Sequence, residues 1–487
     1  MGCIKAGDVK PPGMGTTTTT SGGVSIKKVP SKKPTKGGVQ PNIIVQFRPN
    51  KSFLGKFGFD WLRLGDSGLT PSQVDIKYTD NMGYHTNLKG SKCKDDSCVL
   101  LNSSNFSKEK SISTKLKGVF DLEVDLTTLG KVSGLNTDFE YRIPVVTLMP
   151  KDKNLNPYNI NLTAKLDTII NHGKLKAKSL RLAFKNKEDE KKAKNVISIS
   201  SMSLSKFSKK EAITITSKGI LKKTVILYVY ADKCYKPCGA IKILRNDKVK
   251  QINVVFIGTK TKLDKKIKIQ NPKMKEVKLL REKLGQALIN VNLAIDSHPV
   301  TKTKLIVDMT TKFTSYYKIT ITSTHKKVIK DKKGNLLKRG TNIPKGTICL
   351  AWDKKTSSQN GQIAGEILDL LDKEFEKQLV IGAKLSLVGD IYKFYFINEQ
   401  CYSERIPLDC GGGATVGAKH SMYFGSGSKS PLAHEVGHNL GLKHTFEQIE
   451  SPYRYKYIST DNIMDYNHID NIYYYWQWKI MNKSGIE

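Results

Sequence analysis

The most specific motif of this chain is His434-Glu435-Val436-Gly437-His438-Asn439-Leu440-Gly441-Leu442-Lys443-His444. On a helix, His434 and His438 lie one above the other on the same face, so both imidazoles can bind one metal ion. Gly441 has no Cβ and can adopt the left-handed conformation that ends a helix sharply, which brings His444 back as a third ligand. The spacing therefore predicts a zinc site with three histidine nitrogens and one position open to water.

Glu435 follows the first histidine directly. In this pattern its carboxylate reaches the water on the metal as a general base and does not bind the metal. Zinc lowers the pKa of its bound water to about 7, so a usable nucleophile exists near neutral pH. Ser430 and Pro431 are predicted to be the N-cap and the first residue of the helix.

A second motif, Asp461-Asn462-Ile463-Met464-Asp465-Tyr466, follows the third histidine by about twenty residues. Together with the HExxHxxGxxH pattern it resembles the Met-turn of the metzincin clan of zinc metallopeptidases, most closely the pappalysin-like group. The resemblance covers about residues 270 to 487. It implies that Met464 forms an apolar floor beneath the metal, and that Tyr466 acts as a further ligand or donates a hydrogen bond to the tetrahedral intermediate. It also implies an endopeptidase with protein or peptide substrates.

Before these motifs, the hydrophobic pattern predicts the alternating elements of an α+β catalytic domain. The predicted helices cover residues 274–295 and 359–379, and the predicted strands cover residues 304–309 and 390–397. Residues 414–424 are expected to form the edge strand of the cleft, where a peptide would pair by β-augmentation, with a plain surface hairpin as the alternative. The aromatic residues 473–481 are predicted to pack as a C-terminal helix. His420 and His468 are predicted to be solvated or hydrogen-bonded.

The first half of the chain has a different pattern. Residues 1–40 are rich in Gly, Pro, Thr and Lys, which predicts a flexible arm. Residues 41–150 and 151–260 are predicted to be a β domain and a β-sandwich-like domain, because apolar residues alternate at 120–126 and 160–166 and helical periodicity is absent. Residues 260–275 are expected to be a basic linker. The predicted fold class is therefore multidomain, with all-β, sandwich-like modules followed by an α+β metzincin-like catalytic domain.

Composition limits the partners of the chain. The formal net charge of +37 favours weak contact with anionic surfaces. Lysine outnumbers arginine about eightfold and is spread along the chain, whereas base readers favour arginine, so no specific nucleic-acid partner is predicted. The chain has no run of eighteen apolar residues, so no membrane span is predicted. The eight cysteines include three close pairs that could form disulfides, with reduced structural cysteines as the equal alternative: Cys93/Cys98, Cys234/Cys238 and Cys401/Cys410.

Two classes of function follow from these patterns. Residues 57–63, FGFDWLR, are similar to a segment near the start of bacterial effectors exported by contractile, type VI-like secretion, with an ordinary aromatic strand as the alternative. The first function is thus a zinc endopeptidase acting as a secreted or delivered effector or toxin. It would be cytoplasmic before export, would leave the cell without a classical signal peptide, and would have the secretion apparatus as a partner. The second is an adhesive or scaffold protein with a structural or vestigial zinc site. A further alternative is that the N-terminal half is an inhibitory pro-region. The sequence does not predict the oligomeric state.

Overall fold

The computed structural model describes residues 3–5, 39–41, 43–49, 53, 55–63, 78–93, 98–99, 104–132, 139–150, 159–168, 180–200, 203–204, 213–231, 234–263, 266–270, 274–293, 306–312, 318–320, 328–330, 336–339, 347–353, 363–382, 391–399, 401–403, 408–409, 412–424, 431–447, 451–466 and 472–486. Within them the fold is mixed α/β, and its strands form several sheets. Most of the predicted arm, residues 1–40, lies outside the described residues.

The strands before residue 250 are β1 (Cys3–Lys5), β2 (Val39–Pro41), β3 (Ile43–Pro49), β4 (Gly58–Asp60), β5 (Gly83–Asn87), β6 (Ser104–Lys108), β7 (Val145–Thr147), β8 (Asn159–Thr168), β9 (Leu180–Phe184), β10 (Ile197–Ile199), β11 (Ser203–Leu204), β12 (Ile213–Ser217), β13 (Val225–Ala231) and β14 (Gly239–Ile243). The helices in this part are α1 (Tyr78–Asn81), α2 (Lys110–Lys117), α3 (Val124–Val132) and α4 (Lys187–Ala193).

The later strands are β15 (Lys250–Thr261), β16 (Lys268–Gln270), β17 (Ile289–Leu293), β18 (Ile306–Asp308), β19 (Lys318–Thr320), β20 (Val328–Lys330), β21 (Leu336–Arg339), β22 (Ile348–Asp353), β23 (Ile391–Ile397), β24 (Cys401–Ser403), β25 (Leu408–Asp409), β26 (Gly412–Ala414) and β27 (His420–Phe424). The later helices are α5 (Met274–Gly285), α6 (Ile363–Gly382), α7 (Pro431–Asn439) and α8 (Tyr475–Met481).

The largest sheet lies in the N-terminal half, with strand order β10-β12-β8-β3-β14-β13-β9-β11 and with β7 joining β14 to β4. Its neighbours are antiparallel except where β14 runs parallel to β3 and β7. The predicted strand at residues 160–166 is confirmed as part of β8. Strand β3 lies between β8 and β14, so this sheet contains strands from both sides of residue 150, and the domain boundary predicted there stays a prediction.

The strand expected at residues 120–126 is wrong, because helix α3 begins at Val124. Leu126 and Leu129 are buried from one side of this helix, whereas Leu122 and Val124 are 42% and 62% exposed. The alternating apolar residues at 120–126 therefore do not form one buried face. The helical spacing of Leu126 and Leu129 agrees with the observed helix. Helices α2 and α4 also show that the N-terminal half is not all-β.

A second sheet forms the frame of the C-terminal half, with order β16-β15-β23-β27-β26 and with β17 and β18 also on β15. Strand β15 runs parallel to β17, β18 and β23, and β23 runs parallel to β27. The frame thus starts at Lys250, inside the predicted second β domain, and residues 268–270 of the predicted linker pair with β15. A central strand cannot be separated from its partners without exposing their hydrogen-bonding groups.

The structure confirms three further expectations in this half and corrects two. The strands at 304–309 and 390–397 and the helix at 359–379 are confirmed by β18, β23 and α6. The helix expected at 274–295 ends at Gly285, because Ile289 and Val291 alternate inward as part of β17. The edge strand expected at 414–424 is also displaced: residues 420–424 form the inner strand β27, and β26 lies outside it, antiparallel.

One hydrophobic core joins the two halves. Phe59 and Trp61 belong to the same buried cluster as Tyr475 and Trp478. Gln286 adds polar links, because its Nε2 donates to Gly55 O at 2.7 Å and its carbonyl accepts from Thr147 Oγ1 at 2.6 Å. The multidomain character expected from the sequence is therefore not confirmed. Among the helices described, none is long and apolar enough to cross a membrane.

Candidate metal centre

Helix α7 carries His434 and His438, the first two histidines of the motif, with their Nε2 atoms close together. It begins at Pro431, as predicted. His438 Nε2 lies 3.1 Å from His434 Nε2 and 3.2 Å from His444 Nε2. A tetrahedral site with Zn–N bonds of about 2.0–2.1 Å separates its nitrogens by roughly 3.3–3.4 Å. The three histidines are therefore arranged as a cluster that can hold a metal ion.

The other ring nitrogens fix the orientation of this cluster. His434 Nδ1 donates to Ile463 O at 2.7 Å, and His438 Nδ1 donates to Leu442 O at 2.8 Å. Both Nε2 atoms then carry lone pairs, which repel each other at 3.1 Å unless a cation binds them both. Burial, followed by the neighbouring histidines, lowers the pKa of His438 well below its usual range, which keeps the ring neutral. The donor set thus fits a divalent metal that prefers imidazole.

Gly441 makes the turn that returns His444 to the cluster. Its φ of +94° lies in the left-handed region, as predicted for this glycine. Gly441 N donates to His438 O and Leu442 N donates to Gly437 O, both at 2.9 Å. These bonds satisfy carbonyls at the end of the helix in the manner of a Schellman motif.

Met464 lies directly against the helix that carries the histidines. A Cβ built on Gly437 would come within 2.4 Å of Met464 Sδ, so only glycine fits without a shift. Met464 N donates to Asn462 Oδ1 at 2.9 Å, and its carbonyl accepts from Thr445 N at 3.1 Å. Sequence reasoning missed the role of Gly437. A glycine within a helix costs about 1 kcal/mol against alanine, and that cost is the signal that could have revealed the close approach.

Two polar side chains complete the site. The Tyr466 hydroxyl lies 3.0 Å from His444 Nε2, within reach of the position where the three nitrogens meet. Glu435 is only 7% exposed, and burial raises the pKa of its carboxyl to about 8. Its carboxylate is not part of the three-histidine cluster. A Cβ on Gly412 would come 2.7 Å from Glu435 Oε1, so the outermost described strand of the sheet passes beside this carboxylate.

Buried hydrogen bonds hold the Met-turn in place. Asp465 accepts from the backbone N–H groups of Ile458, Ser459 and Thr460 at 2.9–3.1 Å. Asn462 and Gln477 exchange two side-chain hydrogen bonds of 2.6 and 3.1 Å, which connect the turn to helix α8. The aromatic residues 473–481 therefore pack in the core, as predicted, and sequence reasoning missed only the amide pair.

The remaining predicted residues fall into two groups. His420 Nδ1 lies 2.8 Å from Asp372 Oδ2, so this histidine is hydrogen-bonded, as predicted, and lies outside the three-histidine cluster. Ser430 and His468 lie outside the described residues. Of the cysteine pairs, Cys93 and Cys98 form a disulfide, whereas Cys238 and Cys401 are not disulfide-bonded, so the predicted pairs Cys234/Cys238 and Cys401/Cys410 do not form.

Comparisons of the chain with protein-family models, with curated proteins and with solved structures found no match.

Proposed function

We propose that this chain is a metzincin-like, zinc-dependent endopeptidase. The observation that carries the proposal is the convergence of the Nε2 atoms of His434, His438 and His444, together with the burial of Glu435, the residue that follows His434 and is not part of the cluster. Structural zinc sites are usually closed by four protein ligands, whereas hydrolytic sites keep a position open. In the described residues the cluster contains three ligands, which favours hydrolysis over a structural role.

When bound, zinc would supply a Lewis acid that lowers the pKa of a water and polarises a peptide carbonyl. Glu435 would take the proton from the attacking water and later deliver it to the leaving amine. Tyr466 would donate its hydroxyl hydrogen to the oxygen on which negative charge develops.

Substrate binding is proposed at strand β26. This strand is antiparallel to β27, is the outermost described strand of its sheet and passes beside Glu435. A peptide that extends the sheet at this edge would run next to the catalytic carboxylate, with affinity coming from main-chain hydrogen bonds. The proposed substrate class is therefore an extended peptide or an unfolded protein segment.

Action outside the producing cell, as a secreted effector or toxin, stays a prediction from residues 57–63. Trp61 and Arg63 of this segment are each 1% exposed and belong to the folded interior, and β4 pairs with β7. These contacts favour the plain interpretation of the segment as an aromatic strand.

The proposal is tested by metal analysis beside peptide cleavage. We expect one zinc per wild-type chain, zinc retained in Glu435→Ala, and zinc lost in His438→Ala, because His438 belongs to the three-histidine cluster and Glu435 does not. Peptide cleavage should be lost in both variants. His420→Gln is the matched control, since it removes a hydrogen-bonded histidine outside the cluster, and it should keep both zinc and activity. Zinc binding without hydrolysis of any member of a broad peptide library would instead favour the adhesive or scaffold function.

A further inference from the structure

A small hairpin from the N-terminal half lies beside the metal centre. Strands β5 and β6 pair only with each other, apart from the rest of the described sheets. The loop that follows β5 carries the Cys93–Cys98 disulfide. Cys93 and Val99 are buried together with Phe446, two residues after the third histidine, and Tyr466 packs against the same group. The hairpin therefore reaches the wall of the site itself.

Backbone contacts dock this hairpin on the segment between the third histidine and the Met-turn. Gly83 N donates to Arg454 O at 3.1 Å, and Lys456 N donates to Asn81 O at 2.8 Å. Tyr457 N donates to His85 Nε2 at 3.1 Å. Because this ring nitrogen accepts, the other one, His85 Nδ1, carries the hydrogen and donates to Ser104 Oγ at 3.2 Å. The docking thus uses main-chain bonds and one buried histidine of defined tautomer.

Phe446 connects the hairpin to the third histidine. Its ring is fully buried and stacks on the His444 ring, with centroids 4.9 Å apart and planes only 7° apart. Tyr457 meets the edge of Phe446 at 4.9 Å. Since His434 and His438 are carried by one helix and His444 follows a turn, the direction of the His444 ring depends more on the side chains packed against it. Phe446 supports the His444 ring by stacking on it, and the hairpin covers Phe446.

We propose that the hairpin of β5 and β6, together with the Cys93–Cys98 disulfide that follows β5, positions the third metal ligand. Cys93, Cys98 and Phe446 are positioning residues: the disulfide holds the hairpin against Phe446, and Phe446 holds the imidazole of His444. This inference rests on the proposed function, because it assumes that the three histidines bind the metal. It makes an N-terminal element part of the catalytic site, and it makes metal affinity depend on an intact disulfide. The loop closed by the bond is short, so its contribution to global stability is small compared with that of a long loop.

The experiment compares Co²⁺-loaded full-length chains, because the visible absorption of Co²⁺ reports on ligand geometry. The variants are Cys93→Ala/Cys98→Ala and Phe446→Leu. Cys234→Ala is the matched control, since Cys234 is also disulfide-bonded but belongs to the loop after β13. We expect both test variants to bind Co²⁺ and Zn²⁺ on the order of 10-fold more weakly, with an altered absorption band, as happens when the groups that orient a metal ligand are lost. The control should match the wild type.

The outcomes separate the two proposals. If wild type binds neither ion, the zinc endopeptidase itself is refuted. If wild type binds and cleaves, and both variants keep wild-type affinity and the wild-type band, only the positioning role is refuted. Far-UV circular dichroism checks that the variants are folded, and Phe446→Leu keeps the disulfide, so loss of affinity in a folded Phe446→Leu chain supports the role without any change at the cysteines.

Discussion

Gly437 shows how one residue sets the distance between the helix of the metal centre and the Met-turn. In an ordinary helix interior, replacement of glycine by alanine stabilises by about 1 kcal/mol. At Gly437 the new Cβ would lie 2.4 Å from Met464 Sδ, and Met464 is completely buried, so the side chain has little room to retreat. At this position the clash of the new Cβ with Met464 therefore outweighs the higher helix propensity of alanine.

Gly437→Ala is thus predicted to destabilise the chain by about 1–3 kcal/mol and to weaken zinc binding, because overpacking shifts the turn or the helix. The matched control is Gly365→Ala in helix α6, where a new Cβ would meet nothing within 4 Å. That control should be neutral or slightly stabilising. Urea unfolding with zinc titration measures both effects, and equal stabilisation by the two substitutions would show that Met464 does not press on Gly437.

At the level of single residues the sequence predicted the three-histidine cluster. The histidines and Gly441 are held by local geometry, since a helix and one left-handed residue suffice to place their side chains. Contacts between distant segments, such as Gly412 with Glu435 and Phe446 with the hairpin, could not be predicted. Their partners are far apart in the chain, and no local pattern encodes them.

Among the secondary-structure elements, short apolar alternation was the weakest signal. The pattern at residues 120–126 matched a strand, yet helix α3 buries Leu126 and leaves Val124 62% exposed. The long helix α6 was predicted correctly because its apolar stripe persists over several turns. The helix predicted at residues 274–295 is longer than α5, because the apolar residues of β17 continue the helical spacing.

The helical assignment of α3 predicts unequal costs for two neighbouring substitutions. Leu126→Ala should destabilise by about 2–5 kcal/mol, as expected for a leucine buried in a core. Val124→Ala should change stability by no more than about 0.5 kcal/mol, because the side chain is exposed. Chemical unfolding of the two variants checks this. Similar large losses at both positions would point to a strand with one buried face.

At the scale of the whole molecule, the two halves share one interior. Arg63 lies between Asp60 and Asp461, with Nη2 at 3.5 and 3.8 Å from their carboxylates, and its guanidinium lies 3.9 Å from the Trp61 ring centroid. Asp60 also accepts from Tyr475 N at 2.7 Å. The sequence could not predict this cluster, because an isolated FGFDWLR segment carries no sign of where its charges are neutralised.

Arg63→Met is predicted to destabilise the chain by about 3–5 kcal/mol at neutral pH, because it leaves two buried carboxylates without their cation. Burial already raises the pKa of Asp60 to about 6, although Arg63 lowers it. Without Arg63 this pKa rises further. When the pKa of a carboxyl is higher in the folded chain than in the unfolded chain, the free energy of unfolding falls as pH rises. The destabilisation by Arg63→Met should therefore be small below about pH 4 and grow toward neutrality.

Lys108→Met provides the control for Arg63→Met. Lys108 and Asp80 form an ion pair of 3.5 Å whose side chains are 63% and 50% exposed, so its loss should cost less than about 1 kcal/mol. Urea midpoints measured from pH 4 to pH 8 test both variants. A pH-independent effect of Arg63→Met would contradict the role given to the two carboxylates.

Zinc-dependent peptide hydrolysis is tested by the rates at which zinc-loaded wild type and zinc-loaded Glu435→Ala hydrolyse an unfolded protein substrate. Hydrolysis by the wild type, with at least a 100-fold loss in the variant at equal zinc content, is the predicted result, because general acid–base catalysis contributes roughly 10²–10⁴-fold. Undiminished hydrolysis by Glu435→Ala, or no hydrolysis by a wild type that holds one zinc, would refute the proposed zinc-dependent endopeptidase.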